Sequence, residues 1–254
     1  MSYPYFFIDP ENISADEIIL EGDNHNHLIK VLRSKVKEII EVSDNNYRYI
    51  AEISEISKKE TLLKIIEKRK ITSENIIITL FQCMLKRTSM ELVIQKAAEL
   101  GIQDFFPVKS KRVIVEDKDA EIKTKRWGKI AEEASKQCKR DFLLNIKDRI
   151  SLDDIRPSDF NVIYLPYEGL SKSSPGKINI IDDLKKLIGN NIDNKKPLRI
   201  GYIIGPEGGF EENEVSKLTL KGAKPISLGS NILKAETASI FLSSVIKYIA
   251  SVFF

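Results

Sequence analysis

The chain has 254 residues, of which 42% are hydrophobic and 30% charged, with a formal net charge of +3. That length suits one large domain or two smaller ones, and the composition excludes disordered, collagen-like and strongly polycationic classes. Cys83 and Cys138 form no CxxC pair, and the only histidines, His25 and His27, lie far from both, so neither a metal site nor a disulfide framework is expected.

The opening "MSYPYFFIDPEN" carries charge early and has no basic start, so no secretory leader is expected. "DNHNHLIKVLR" (23–33) predicts a helix with Asp23 as its cap and Leu28, Val31 and Leu32 on one face. His25 and His27 read there as capping or surface residues rather than catalysts. "KEIIEVSD", "YRYIAEISEIS" and "ETLLKIIEK" alternate as strands do, and Asp44-Asn45-Asn46 supplies a turn between the first two. Residues 1–70 therefore read as a small β-barrel-like domain, with the polar "EKRKITSEN" as boundary to a second domain over 71–254.

Beyond the boundary strands and helices alternate. "IIITLFQCML" (76–85) reads as a strand covered on both faces. Thr88-Ser89-Met90-Glu91 has the pattern of a capping box, opening a helix that Gly101 closes. "DFFPV" is a short strand, and residues 120–139 form a helix with Trp127, Ile130, Ala131, Ala134 and Cys138 in one stripe. Trp127 belongs to that stripe and reads as core, not as a base-stacking platform. "NVIYL", "RIGYII" and "PISL" follow as strands, and the last helix places Ala238, Phe241, Leu242, Val245 and Ile249 on one face. This rhythm predicts an α/β fold with a mainly parallel sheet and helices on both sides. Lys247 and several serines interrupt the closing apolar stretch, so no membrane span is expected. Residues 71–150 hold 16 basic against 12 acidic side chains, a weak pointer to a polyanion.

Two glycine loops carry the chemistry. "IIGPEGGF" leaves a strand at its carboxyl end, where open α/β sheets bind ligands. Pro206 fixes one φ, while Gly208 and Gly209 permit close backbone approach. Glu211, Glu212 and Glu214 follow in the first turn of a helix, an unfriendly place for phosphate, and neither GxxxxGK[ST] nor GxGxxG is present. The loop suits a neutral or cationic ligand. Gly229 follows the next strand, with Glu236 and Thr237 at the start of the last helix, so the two loops predict one shared pocket.

"IGPEGGF" with "LGSNILKAETA" resembles the signature of the RsmE-type 16S ribosomal RNA uridine-N3 methyltransferases, of the SPOUT class. "HLIKVLR", "ELVIQKAAELGI", "PVKSKRVIV" and "RWGKIAEEASKQCKR" resemble family segments in the same order, so the likeness spans nearly the whole chain. It implies a PUA-like β-barrel RNA-binding domain over 1–70 and a SPOUT methyltransferase domain over 71–254 with a deep trefoil knot. It also implies a cytoplasmic homodimer acting on 16S ribosomal RNA in the small ribosomal subunit, with S-adenosylmethionine as cofactor and no metal. By the resemblance Gly205, Pro206, Glu207, Gly208 and Gly209 form one wall of the cofactor site. Leu228, Gly229, Ile232 and Leu233, with Lys234, Ala235, Thr237 and Ala238, form the other wall. Leu165, Tyr167 and Glu168 add a third edge.

Arg140 is the candidate cation for the developing uracil oxyanion, with Gln137 beside it on the same helix end. Glu236, Glu168 and Glu207 are possible proton acceptors, with Glu236 the choice. Arg33, Lys109, Lys111 and Arg112 would hold RNA phosphates. Four positions depart from the family's habit: Lys234 for arginine, Ser230-Asn231 for Pro-Arg, and Leu144 for proline. Two other readings stay open, a SPOUT methyltransferase acting on another RNA base and a non-catalytic RNA-binding assembly factor.

Overall fold

The computed structural model describes residues 3–72, 74–111, 120–170, 178–191 and 196–253, the side chains of 120–122 excepted. The chain divides into two units, Met1–Ser73 with Ser135–Leu143, and Glu74–Ala134 with Leu144–Phe254.

The first unit is built on β1 (Tyr5–Phe7), β2 (Glu17–Glu21), β3 (Ile39–Ser43), β4 (Tyr47–Ile56) and β5 (Glu60–Lys70), in the order β1-β3-β4-β5-β2. Only the β1–β3 pair is parallel. Register shifts at Ile50/Ala51 and Ile53/Glu55 bend β4 against β5, as bulges do, and so curl the sheet. Alternate residues Tyr49, Ala51 and Ile53 point into a core with Phe6, Ile18 and Leu20. The expected turn is there: Asn45 takes φ +68°, and Asp44 Oδ1 accepts from Asn46 N at 2.8 Å.

The helix at 23–33 departs from expectation. α1 (Gly22–Asn26) has Glu21 rather than Asp23 at its N-cap position, without a side-chain capping bond, and it runs into a π-helical turn over His27–Val31. A π turn is wider than an α turn, so the 3.6-residue phase is lost. Leu28 is buried, but Val31 and Leu32 are exposed, and Arg33 ends the segment at φ +57°. His25 is buried rather than on the surface, its Nδ1 2.8 Å from Thr61 Oγ1.

The second unit holds β6 (Ile76–Cys83), β7 (Asp104–Lys109), β8 (Asn145–Ile146), β9 (Ile150–Ser151), β10 (Val162–Pro166), β11 (Leu198–Ile204) and β12 (Lys224–Ile226). Their order is β12-β10-β11-β6-β7-β8, β9 also pairs with β7, and every pair is parallel. The helices are α2 (Arg87–Glu99), α3 (Ala120–Gln137), α4 (Ile180–Gly189), α5 (Glu212–Leu220) and α6 (Ala235–Phe253). One sheet face, through Leu80 and Tyr202, packs on side chains of α2, α3, α4 and α6. The other, through Phe81 and Ile203, packs on Val215 and Leu218 of α5. Both faces are covered, which is why these strands read as continuous apolar runs.

The capping box at Thr88 does not form, because α2 starts at Arg87 and Glu91 turns instead to Arg87 and Arg126. Cys138 lies past the end of α3 and is exposed. By length and composition α6 could cross a membrane, but Leu242, Ile246 and Ile249 pack in the core. Its buried face takes in Ser239 and Ser243, whose Oγ meets the Tyr202 hydroxyl, and leaves Phe241 46% exposed. Sequence reading did not foresee α4, held by its Asn179 cap at 3.0 Å from Ile181 N.

Candidate functional site

Because every pair in the large sheet is parallel, all its strands end on one edge. At that edge the ends of β10 and β11, the loop after β6 and the loop after β12 enclose a cavity of about 570 Å³. The size lies within the range of roughly 300–1,000 Å³ usual for small-molecule sites.

The loop leaving β11 is shaped by main chain. Gly209 N donates to Pro206 O at 2.9 Å, closing a tight turn, and Gly209 adopts φ +69°. A β-carbon there would come 2.5 Å from Glu168 Oε1, and one on Gly205 would meet the Phe210 ring at 3.1 Å. The loop after β12 folds on itself, with Ser227 Oγ donating to Gly229 O at 3.0 Å and Gly229 at φ +130°. Apart from its chain neighbours, no atom lies within 4 Å of where a Gly229 β-carbon would stand, so it is the φ of +130° rather than crowding that calls for glycine there. Tyr167 N donates to Ile226 O at 3.0 Å and ties the end of β10 to the end of β12.

Carboxylates of Glu168, Glu207 and Glu236 line this space, and Lys86 and Lys234 are the cations among the described lining residues. Glu207 Oε1 accepts from Lys86 N at 3.3 Å while its Oε2 lies 3.8 Å from Lys86 Nζ. Both side chains are exposed, so the pair contributes little. Glu214 is buried and serves two main-chain donors, accepting from Glu211 N at the start of α5 at 2.9 Å and from Lys111 N after β7 at 3.1 Å. With its own carboxylate on the Glu211 donor, the start of α5 does not offer that N–H to a ligand in the glycine-loop cavity.

The predicted cofactor residues converge here. Tyr167 and Glu168 line one edge, Gly205 to Glu207 with Gly209 a second, and Leu228, Gly229 and Ile232 to Ala235 with Ala238 a third. Glu236 joins them from the first turn of α6. Leu165 is fully buried in the core, and Gly208 and Thr237 flank the cavity without lining it. Sequence reasoning missed Lys86, Ser89, Ile204, Phe210 and Ser227 in the lining. The first two arrive because β6 neighbours β11 in the sheet, an adjacency no local pattern announces.

The remaining candidates lie elsewhere. Lys109 ends β7 in the second unit and Lys111 lies just beyond it, exposed Arg33 follows the π turn in the first, and Arg112 lies outside the described residues. Gln137, exposed at the end of α3, and Arg140 belong to the segment 135–143 that groups with the first unit. That segment is fastened there by main chain and charge. Tyr5 OH donates to Arg140 O at 2.9 Å and Ser43 Oγ to Asp141 O at 3.0 Å. Arg48 bonds Glu41 and reaches Asp141 Oδ1 at 3.2 Å, while Lys139 Nζ, on a residue at φ +53°, meets Glu41 Oε1 at 2.7 Å. Burial pushes the Glu41 carboxyl up, but Lys139 and Arg48 outweigh it and hold it below its ordinary range. Burial drives the Tyr5 hydroxyl up to about 12, so it stays a donor.

Comparison with known proteins gives a consistent picture. The pattern describing the RNA methyltransferase domain matches residues 72–247, and that describing the RNA methyltransferase PUA domain matches residues 20–66. The chain is 32% identical to the Ribosomal RNA small subunit methyltransferase E of Bacillus subtilis, over 92% of this chain and 91% of that protein. Among solved structures, a putative methyltransferase of Legionella pneumophila with bound cofactor SAM superposes with a TM-score of 0.81 at 26% identity, covering 98% of each chain. A Ribosomal RNA small subunit methyltransferase E from Neisseria gonorrhoeae bound to S-adenosyl methionine gives 0.78 at 25% identity, covering 97% of each.

Proposed function

The chain belongs to the ribosomal RNA small subunit methyltransferase E family, and on that ground we propose that it methylates N3 of a specific uridine in 16S ribosomal RNA, with S-adenosylmethionine as donor. The observation that carries the reading is the cavity at the carboxyl edge of the sheet, walled by the two glycine loops.

The residues present fit the cofactor. Main chain at 205–209 and 228–235 offers close-approach donors and acceptors, and Ile204, Leu228 and Leu233 give aliphatic walls for a purine. Glu168 and Glu207 suit a cationic group, and the lining holds no cluster that a metal would need among the described residues. When bound, S-adenosylmethionine supplies a methyl group activated by its sulfonium. The chain's residues supply the rest. They hold the acceptor nitrogen in line and exclude water, which accounts for much of the rate in such displacements. N3 of uridine is protonated, and Glu236 is the candidate to take that proton. A cation beside O2 or O4 stabilises the negative charge left behind, and Arg140 is the candidate. Arg33, Lys109, Lys111, Arg112 and Gln137 are assigned to the RNA. A base must leave its stack to enter such a cavity, so a loop or splayed strand is the expected target.

The finer architecture belongs to the same proposal. Residues 1–70 form a PUA-like barrel that binds RNA, and 71–254 form a SPOUT domain with a trefoil knot; the likeness to the two solved methyltransferases supports both assignments. The protein acts in the cytoplasm as a homodimer, a reading favoured by the exposed stripe Phe241, Tyr248 and Val252 on α6.

The test combines the protein, radiolabelled S-adenosylmethionine and small ribosomal subunits from cells lacking the enzyme, with nucleosides identified by mass spectrometry. The expected product is 3-methyluridine, abolished by Gly209→Trp, whose β-carbon alone would come 2.5 Å from Glu168 Oε1 in the cavity lining. Label in another nucleoside would overturn the uridine-N3 assignment and keep the cofactor site. No label in any RNA, with no cofactor heat in calorimetry, would leave a non-catalytic RNA-binding protein.

A further inference from the structure

A second recess lies on the same edge of the large sheet. It has a volume of about 210 Å³ and sits between the end of β7, the turn after β9 and one face of α5. Lys109 and Lys111 rim it from the strand end, and Lys217 and Lys221 from the helix side. Its floor is apolar, formed by the buried Leu152 and Leu218.

The lining holds four lysines against two acids, Asp153 and Glu214. The Glu214 carboxylate accepts from the main-chain donors of Glu211 and Lys111, the Asp153 carbonyl accepts from Lys221 Nζ at 2.5 Å, and Asp154 lies near enough to Lys221 to feel its charge. Lys111 Nζ lies 3.6 Å from Glu211, a loose contact, and among the described residues neither Lys109 nor Lys217 has an ion-pair partner. Lys217 and Lys221 stand four apart on one face, where like charges repel each other. Four lysines over a low-dielectric floor make a field that a compact, multiply accepting anion satisfies, and ammonium groups bind phosphate as point charges.

The position says which phosphate. In the order β11-β6-β7 the recess end is two strands from the end of β11, and strands are spaced about 4.8 Å apart, so the offset along the edge is roughly 10 Å. That is the reach of a chain with one nucleotide in the glycine-loop cavity and its neighbour alongside. We propose that the recess ringed by Lys109, Lys111, Lys217 and Lys221 binds a backbone phosphate of the RNA strand flanking the target nucleotide. The inference rests on the RNA methyltransferase reading above, and it adds α5 to the RNA-binding surface.

The test uses the full chain and the double variant Lys217→Ala/Lys221→Ala, since alanine preserves the helix and both positions are exposed. Binding of a single-stranded 16S fragment is followed by fluorescence anisotropy from roughly 50 to 200 mM salt. The slope of log K against log salt should become shallower by about 0.7, the value for one phosphate contact on a single strand, with several-fold weaker binding at low salt. Cofactor affinity by calorimetry should be unchanged, and Lys217→Glu/Lys221→Glu should weaken RNA binding further. Inorganic phosphate, titrated separately by phosphorus NMR, distinguishes the source. If free phosphate binds but the RNA slope is the same in wild type and variant, the RNA assignment is overturned. An unchanged slope with no phosphate binding overturns the site altogether. A wild-type protein that binds cofactor but no RNA at any salt defeats the functional reading itself, an outcome separable from the other two.

Discussion

The glycine-loop cavity of the second unit and the charged cluster of the first are both held together tightly, but by opposite means. The cavity walls are main chain, and their shape depends on what Gly205, Gly209 and Gly229 lack. The cluster is side chain, and it depends on Glu41 meeting Arg48 and Lys139, and on Arg48 meeting Asp141. A site made by absent β-carbons should lose function when one is added. A site made by paired charges should lose stability when one is removed. The largest expected effect tests the first half. Gly209 holds φ +69°, a conformation that costs an ordinary residue about 1–2 kcal/mol and a β-branched one more. Gly209→Val should therefore raise the cofactor Kd at least about tenfold by calorimetry. The same variant should lower the melting temperature by only a few degrees. Unchanged affinity would mean that the turn closed by Gly209 N and Pro206 O is not required.

Glu41→Gln tests the second half. Glu41 is the acid shared by Arg48 and Lys139, and its side chain is only 12% exposed. Leaving those cations without it should cost about 1–3 kcal/mol in urea unfolding, while the cofactor Kd stays where it was. Arg48→Ala alone should cost a similar amount. The double variant should cost less than the sum, because both changes break the same contact. A cofactor Kd that moved with Glu41→Gln would erase the division between the two regions.

The same contrast explains how much could be read beforehand. The glycine loops were legible because their chemistry sits in consecutive residues, each tied to its own φ. The turn at Asp44 and the alternation of β4 were legible for the same reason. The charged cluster was not, since Lys139 meets Glu41 across 98 positions and Arg48 meets Asp141 across 93. Nothing in "KQCKRDF" says that it will rest on β3 and β4. Lys86 was missed because strand order, not sequence order, brings the end of β6 beside β11. The phase of the 23–33 helix failed because a π turn leaves no periodic trace in five residues. Lys217 and Lys221 read as an ordinary solvated helix face until β7 and the turn after β9 are set against them.

The smallest effect concerns a charged group that lies in the second unit but is built like the cluster of the first. Glu91 on α2 accepts from Arg126 Nε of α3 at 2.6 Å and from Arg87 Nε at 2.9 Å. The Arg126 hydrogen bond, helped by Arg87 and opposed by burial, draws the Glu91 carboxyl from its usual 4.5 down to about 2. A carboxyl depressed on folding contributes stability above its unfolded pKa and loses it as pH falls through the folded one. The contribution of Glu91 should thus be complete at neutral pH and decline between about pH 4.5 and pH 2. Glu91→Gln should flatten the stability profile in that window alone, and Arg126→Ala should shift the Glu91 titration upward by carbon-detected NMR. Arg126 is half exposed, so molar salt should shrink the difference, whereas the Glu41 effect should persist. If salt weakened both equally, burial would not be what separates them, and the cluster holding 135–143 would be an ordinary surface network.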